Sequence, residues 1–194
     1  ASTHPGEDEI VAAAHKLLAA RFPDLLTIIV PRHPERGGAI ADMLARAGLR
    51  ASRRAAGAQP DTATDVYVAD TIGELGTFYK LAPVAFIGGS LVPHGGQNPI
   101  EAVRHGAAVV TGPHTHNFAD AIAALTRQRG LVVVETAEAL ADAVAQLLAD
   151  PAALATTTRG AESAFAALSG ALDRSTAALL PMLPPEPSEL RRAS

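Results

Sequence analysis

Val84-Ala85-Phe86-Ile87-Gly88-Gly89-Ser90-Leu91-Val92-Pro93-His94-Gly95-Gly96-Gln97-Asn98-Pro99-Ile100-Glu101 reads as an apolar run of strand length, a glycine-rich loop and the opening of a helix. A second apolar run, Ala107-Ala108-Val109-Val110, follows closely. Two continuously apolar strands joined through a short helix lie parallel in a sheet that is covered on both faces. The glycines let the backbone approach a ligand closely, and the free N–H groups of the helix start suit an anion such as a phosphate. The G-x-G-x-x-G spacing of dinucleotide-binding loops is missing, so another phosphorylated ligand is expected.

Outward from this unit the same alternation continues in both directions. Toward the amino end, apolar residues at helical spacing cover 10–22, with Pro23 as the stop, and a β-branched and leucine run at 25–30 ends at Pro31. A helix is expected over 35–47 with Gly48 as its terminating glycine, then a weak strand at 49–53, a polar loop at 57–64, a strand at 66–69 and a helix at 72–81. Toward the carboxyl end the pattern predicts a helix at 99–105, a strand at 107–111, a helix at 118–127, a strand at 131–134 and a helix at 137–148. Two further helices, 152–168 and 172–183, precede a Pro-rich, flexible tail at 184–194. The expected fold is α/β: one doubly wound, Rossmann-like domain over residues 1–183 with a parallel sheet.

Composition narrows the function. The 194 residues suffice for a domain with a sizeable core, built here from alanine, valine and leucine because only 4% of the chain is aromatic. A net charge of −4 argues against a nucleic-acid partner. With no cysteine, disulfides and thiolate catalysis are excluded. No apolar run reaches the ~20 residues that span a bilayer. The opening Ala1-Ser2-Thr3-His4-Pro5-Gly6-Glu7 has no initiator methionine and reads as a loop entering a helix, as in a piece of a longer protein.

In doubly wound sheets, ligands collect at the carboxyl ends of the strands. That rule selects Pro31-Arg32-His33, Asp70-Thr71-Ile72-Gly73-Glu74, the Gly88 to Glu101 segment and Gly112-Pro113-His114. Arg32 could fork onto a phosphate, or be a solvated turn charge paired with Glu35. Thr71 and Glu74 have capping-box spacing, while Asn98, Pro99 and Glu101 read as a capping Asn, a first-position Pro and a third-position Glu. Both are good helix starts; side by side at one sheet edge, they also make a paired anion site with glutamates for ribose hydroxyls. Ser2 and Thr3 could add hydroxyls and amides. His4, His33, His94, His114 and His116 fall on loops without metal-ligand spacing, and no G-x-S-x-G, Walker A or H-E-x-x-H motif is present.

Together, Ser2-Thr3-His4-Pro5-Gly6-Glu7, Pro31-Arg32-His33-Pro34-Glu35-Arg36, Asp70-Thr71-Ile72-Gly73-Glu74-Leu75, Phe86-Ile87-Gly88-Gly89-Ser90-Leu91, Gly95-Gly96-Gln97-Asn98-Pro99-Ile100-Glu101 and Gly112-Pro113-His114-Thr115 resemble the C-terminal half of the Kdo transferases. These bacterial enzymes attach 3-deoxy-D-manno-octulosonic acid (Kdo) to the lipid A precursor. The segments come in family order and cover roughly residues 1–130. His116 stands where the family usually has an aromatic, and Ala102 where a proline is common.

The resemblance implies the C-terminal, donor-binding half of a GT-B glycosyltransferase. It implies that Pro31, Arg32, Ile72, Gly73, Glu74, Asn98, Pro99, Ile100 and Glu101 hold the CMP of the donor CMP-Kdo, with Ser2, Thr3, Gly88, Gly89 and Ser90 in support. The catalytic base, the lipid A precursor site and the membrane anchor would lie in an N-terminal domain at the cytoplasmic face of the bacterial inner membrane. This half alone would be soluble and inactive. No metal or other cofactor is expected, because CMP lacks the pyrophosphate that usually recruits Mg²⁺. Two rival readings remain: a UDP-sugar transferase or epimerase domain of the same architecture, and a non-catalytic Rossmann-like binding module. An NAD-dependent oxidoreductase lacks both its fingerprint and an acidic residue placed for the adenosine ribose.

Overall fold

A computed structural model describes residues 1–182, apart from the side chains of 170–175. The expected tail at 184–194 therefore lies outside the described residues. In chain order the elements are α1 (Glu7–Ala19), β1 (Thr27–Ile29), α2 (Gly37–Arg46), β2 (Ala51–Arg53), β3 (Val66–Val68), α3 (Leu75–Leu81), β4 (Val84–Ile87), α4 (Ile100–Arg104), β5 (Ala108–Thr111), α5 (Ala119–Arg127), β6 (Leu131–Val133), α6 (Ala137–Ala149) and α7 (Pro151–Leu179).

Every strand pairing is parallel, as continuously apolar strands require. On β3, Val66 and Val68 pack with Ile40 and Leu44 of α2, while Tyr67 between them packs on the opposite side with Phe78 of α3. On β5, Ala108 and Val110 meet α1 and α6, and Val109 meets α4, α5 and α7. The two-residue period thus sends alternate side chains into two separate cores. The result is three layers: α1, α2 and α6 on one face, α3, α4, α5 and α7 on the other.

The sheet differs from expectation in one respect. It is two three-stranded halves, ordered β1-β3-β2 and β4-β5-β6. Ala1 to Thr3 joins them at the carboxyl edge: Gly88 N–H donates to Ala1 O at 2.8 Å, and Arg32 N–H donates to Thr3 O at 3.0 Å. Gly88 permits this, since a Cβ there would strike the Ser2 carbonyl.

The helix starts follow side-chain chemistry. Asp150 Oδ1 accepts from Ala152 N at 2.8 Å and Ala153 N at 3.1 Å ahead of Pro151, a cap followed by a first-position proline. The two helices expected at 152–168 and 172–183 are a single helix, α7. Serine and glycine around 169–170 lower helix propensity without breaking an axis already supported by packing.

Candidate functional site

The loops after β1, β3, β4 and β5 gather at the carboxyl edge of the sheet, and their chemistry is ordered by three carboxylates. Glu7, at the first turn of α1, is fully buried. Its Oε1 accepts from Ser90 N and Leu91 N, both at 2.9 Å, and its Oε2 from Gly89 N at 2.6 Å and His4 N at 2.9 Å. The amides of the glycine loop thus form an anion-holding concavity, where the sequence points instead to the N–H groups of the helix start. The anion they hold is part of the protein. Gly89 and Ser90, expected to support the donor site, spend their N–H groups on Glu7. Ser90 Oγ is also committed, donating to Ile87 O at 2.5 Å and accepting from Gly112 N at 2.8 Å. Thr3, the other expected contributor of a hydroxyl, is buried with its Oγ1 unpaired. Ser2 spends its contribution on geometry, with φ at 57°.

Asp8 beside Glu7 holds Arg36, whose other nitrogen donates to Thr3 O at 2.9 Å. That pair ties α1 and the residues after β1 to the amino-terminal segment. Arg32, by contrast, extends exposed from the same turn and has no carboxylate partner among the described residues. The rival pairing of Arg32 with Glu35 is not formed; Glu35 instead lies 3.8 Å from His33 Nδ1. The His4 ring stacks on His94 at 3.7 Å between centroids and lies edge-on to His33 at 6.0 Å. Gln97 donates its amide to His4 Nε2 at 3.0 Å. Burial foremost, then the neighbouring His94, lowers the His4 pKa, which favours the acceptor role that Nε2 plays toward Gln97. Through His33, His4 and Gln97, the turn carrying Arg32 is connected to the one carrying Asn98.

Glu74 is the third carboxylate. Arg54 grips it with two bonds, Nη2 to Oε1 at 2.5 Å and Nε to Oε2 at 3.1 Å, and Thr71 donates its hydroxyl at 2.5 Å. Arg54 first and Thr71 second hold the Glu74 carboxyl below its usual range. The capping box expected from Thr71 and Glu74 is therefore not made. Gly73 sits at φ 91°, outside helical space, and α3 begins at Leu75 instead of 72. Ile72 and Gly73 consequently lie in the preceding loop, with Ile72 at 88% exposure. Before α4, Asn98 Oδ1 accepts from Ile100 N at 3.0 Å, as its capping role requires, though Pro99 occupies the cap position and the helix begins one residue later than expected. Glu101 is exposed and makes no side-chain hydrogen bond among the described residues, but its charge, after burial, helps raise the Tyr79 pKa. The Tyr79 and His105 rings, 6.4 Å apart, pack α3 on α4, so the two loops carrying Ile72 and Asn98 open side by side.

Among the described residues, the site therefore offers an unpaired guanidinium, an unpaired carboxylate, an exposed isoleucine and a cluster of imidazoles at one sheet edge. Sequence reasoning missed Glu7, Arg36 and Arg54. Glu7 stood in a quoted motif, but three of its four partners lie 82 to 84 residues away, and no local spacing announces them. Among the described residues, no group of histidines and carboxylates could hold a metal ion, and no helix is long and apolar enough to cross a membrane.

No family model matches the chain. Curated relatives do. It is 44% identical over 149 residues to a 3-deoxy-D-manno-octulosonic acid transferase of Haemophilus influenzae, covering 76% of this chain and 35% of that protein. It is 39% identical over 183 residues to the same-named protein of Bordetella pertussis, covering 92% of this chain and 43% of that one. A probable mitochondrial counterpart from Arabidopsis thaliana is 38% identical over 175 residues, 88% of this chain and 39% of that protein. The chain thus spans about two fifths of the length of these relatives. Among solved structures, it is similar to the C-terminal CMP-Kdo binding domain of WaaA from Acinetobacter baumannii, with a TM-score of 0.81 and 31% identity over 84% of this chain and 85% of that one. The parallel three-layer fold, the ordered edge loops and these likenesses agree: the chain belongs to the 3-deoxy-D-manno-octulosonic acid transferase family and corresponds to its C-terminal, Rossmann-like half of a GT-B fold.

Proposed function

We propose that this chain is the donor-binding domain of an enzyme that moves Kdo from CMP-Kdo to a lipid A precursor in lipopolysaccharide biosynthesis. The observation that carries the reading is its likeness, at a TM-score of 0.81, to a domain that binds CMP-Kdo. In this reading the nucleotide rests on Pro31 and Arg32, on Ile72, Gly73 and Glu74, and on Asn98, Pro99, Ile100 and Glu101. The acceptor site, the catalytic base and contact with the cytoplasmic face of the inner membrane belong to the rest of the intact enzyme.

The chemistry of the edge supports those roles. When the sugar–phosphate bond breaks, negative charge gathers on the departing CMP phosphate. A guanidinium fixed beside that oxygen stabilises the charge without reorganising, and Arg32 has no competing carboxylate at hand. Glu101 keeps its oxygens free to accept from ribose hydroxyls. Ile72 gives an apolar surface for the face of the base. Glu74, gripped by Arg54, also holds the Ile72–Gly73 turn in place. Gly89 and Ser90 act the same way through Glu7, and Gly88 through its bond to the Ala1 carbonyl.

Calorimetry of CMP and of plain cytidine, with the native chain and with Arg32→Ala and Arg32→Lys, tests the assignment. A charged hydrogen bond is worth about 1.5–3 kcal/mol, so Arg32→Ala should weaken CMP roughly 10- to 150-fold and cytidine hardly at all. Lysine keeps the charge but loses the fork, so it should fall between. Equal weakening of both ligands removes Arg32 from the phosphate, and UMP binding as tightly as CMP would defeat the donor assignment.

A further inference from the structure

In the donor-site reading, on which this inference rests, the base and ribose lie over Ile72 and Glu101, ahead of α3 and α4, and the phosphate lies at Arg32. The helices α3 and α4 pack on one face of the sheet and α1 on the other. The remaining substituent of the phosphate, the sugar, therefore points toward the α1 side. That sugar is an acid, and its carboxylate sits on the same carbon that carries the phosphate ester. A second anion thus arrives beside the first and needs a partner of its own.

Other arginines of this edge are already taken: Arg36 by Asp8, Arg53 by Asp70 and Arg54 by Glu74. What the α1 side presents is imidazole. His4, just ahead of α1, is buried, and the exposed His94 lies over its ring with centroids 3.7 Å and planes 32° apart. The exposed His33 stands edge-on to His4 at 6.0 Å. Gln97 fixes the lower ring by donating to His4 Nε2 at 3.0 Å. Asn117 fixes the turn that carries His94, its side chain donating to His94 O at 3.1 Å and its N–H to Gly95 O at 3.0 Å. Among the described residues, neither ring nitrogen of His94 has a hydrogen-bond partner, and Glu35, 3.8 Å from Nδ1 of His33, leaves Nε2 of that ring open.

We infer that His33 and His94 form the seat of the donor sugar's carboxylate, with His4 and Gln97 beneath them as positioning residues. An anion favours the charged form of a ring it touches, and a charged donor roughly doubles the strength of the bond. The other charged or titratable groups facing the stack are Glu7 and Arg36 at His4, Glu35 and Arg32 at His33, and His116 against Gly95 beside His94. Glu7 and Arg36 are bound to protein partners, and Glu35 is exposed and screened by solvent. Burial first, then His94, lowers the His4 pKa, so a proton drawn in by the carboxylate goes to the outer rings.

Two stable probes isolate the carboxylate. One is cytidine 5′-phosphate esterified with glycolate, which sets a carboxylate on the carbon next to the ester oxygen; the other is cytidine 5′-methyl phosphate, which lacks it. Both phosphodiesters keep a single charge between about pH 6 and 8. By calorimetry at about pH 6, the glycolate ester should bind this chain at least about tenfold tighter than the methyl ester. At about pH 8, above the ordinary histidine value of about 6.5, that preference should shrink to about threefold or less. Substituting both rings, His33→Gln with His94→Gln, should remove the preference and leave the methyl ester's affinity unchanged. Equal affinities in the native chain, or a preference kept by the double variant, would overturn the inference. So would a preference that ignores pH, which is what Arg32, charged throughout, would give. A double variant that weakens both esters equally makes the stack structural and overturns it too. Binding of the methyl ester without a preference for the glycolate ester strikes this inference alone, whereas failure of the methyl ester to bind at all strikes the donor-site reading and this inference with it.

Discussion

Replacing Glu7 by glutamine takes one charged oxygen from a carboxylate that is wholly buried and that accepts four backbone N–H groups. Glutamine keeps one oxygen, which satisfies two of the four donors. Its NH₂ group then faces the other two amides, donor against donor. Each lost bond to a charged acceptor is worth about 1.5–3 kcal/mol, so the substitution should cost about 3–6 kcal/mol. Against a total stability of about 5–15 kcal/mol that is a large fraction. For a chain of this size it corresponds to a fall in Tm of roughly 10–20 °C. Denaturant unfolding of the native chain, Glu7→Gln and Glu7→Ala gives the numbers. Glu7→Ala adds a second reading: with the carboxylate gone, the amides of Gly89, Ser90 and Leu91 form an open anion nest. Added formate should then raise the Tm of Glu7→Ala and leave the native chain unmoved. A Glu7→Gln variant within about 1 kcal/mol of native would refute the reasoning, since it would mean water or a shifted loop satisfies those donors at little cost.

Glu101→Gln should weaken CMP by the same charged-acceptor amount, about 1.5–3 kcal/mol, while leaving the Tm within a degree, because Glu101 holds nothing else among the described residues; early melting with normal CMP binding would make it a structural residue. Gly37→Ala should cost about 1–3 kcal/mol by overpacking, since its Cβ would overlap the Asp70 carboxylate that Arg53 Nε and the Ala55 amide hold. Gly38→Ala, whose Cβ meets only the end of the Arg53 side chain at ordinary contact distance, is the control in urea titration, and equal costs would discard the argument. Stability should also decline as pH falls below about 6.5, the ordinary histidine value. His4 and His15 both have folded pKa values lowered chiefly by burial, so the unfolded chain takes up those protons first, and the loss is complete once pH is below the folded values. Asp65, which the Arg50 side chain holds down at about 2, adds a second decline between about pH 4 and 2. A flat unfolding free energy from pH 7.5 to 5 would remove the histidine contribution.

The chain's alternation of helices and strands was legible because each element carries its own short-range period. Val66-Tyr67-Val68 and Ala108-Val109-Val110 contain no polar residue, so they had to be covered twice, and only a parallel, layered sheet does that. The carboxyl-edge rule then pointed to the loops at Arg32, Ile72 and Asn98 without any coordinates. Local cues failed where a distant partner outbid them. Thr71 and Glu74 have capping spacing, yet Arg54, twenty residues before Glu74, captures the carboxylate, and α3 starts late. Shorter strands than expected, such as Thr27–Ile29 within 25–30, end where the neighbouring strand ends, which no single segment encodes.

What the sequence determined by itself is the order and type of the elements, their parallel pairing and the edge where ligands would collect, because those follow from periodicity, punctuation and chain direction. What only the tertiary structure decided is who occupies the glycine loop, which cations are already paired, and how the two halves of the sheet are joined. Each of those depends on hydrogen bonds between residues tens of positions apart: Glu7 to Gly89, Asp8 to Arg36, Ala1 to Phe86. Such bonds leave no spacing signal in one chain, because their geometry exists only after the layers have packed.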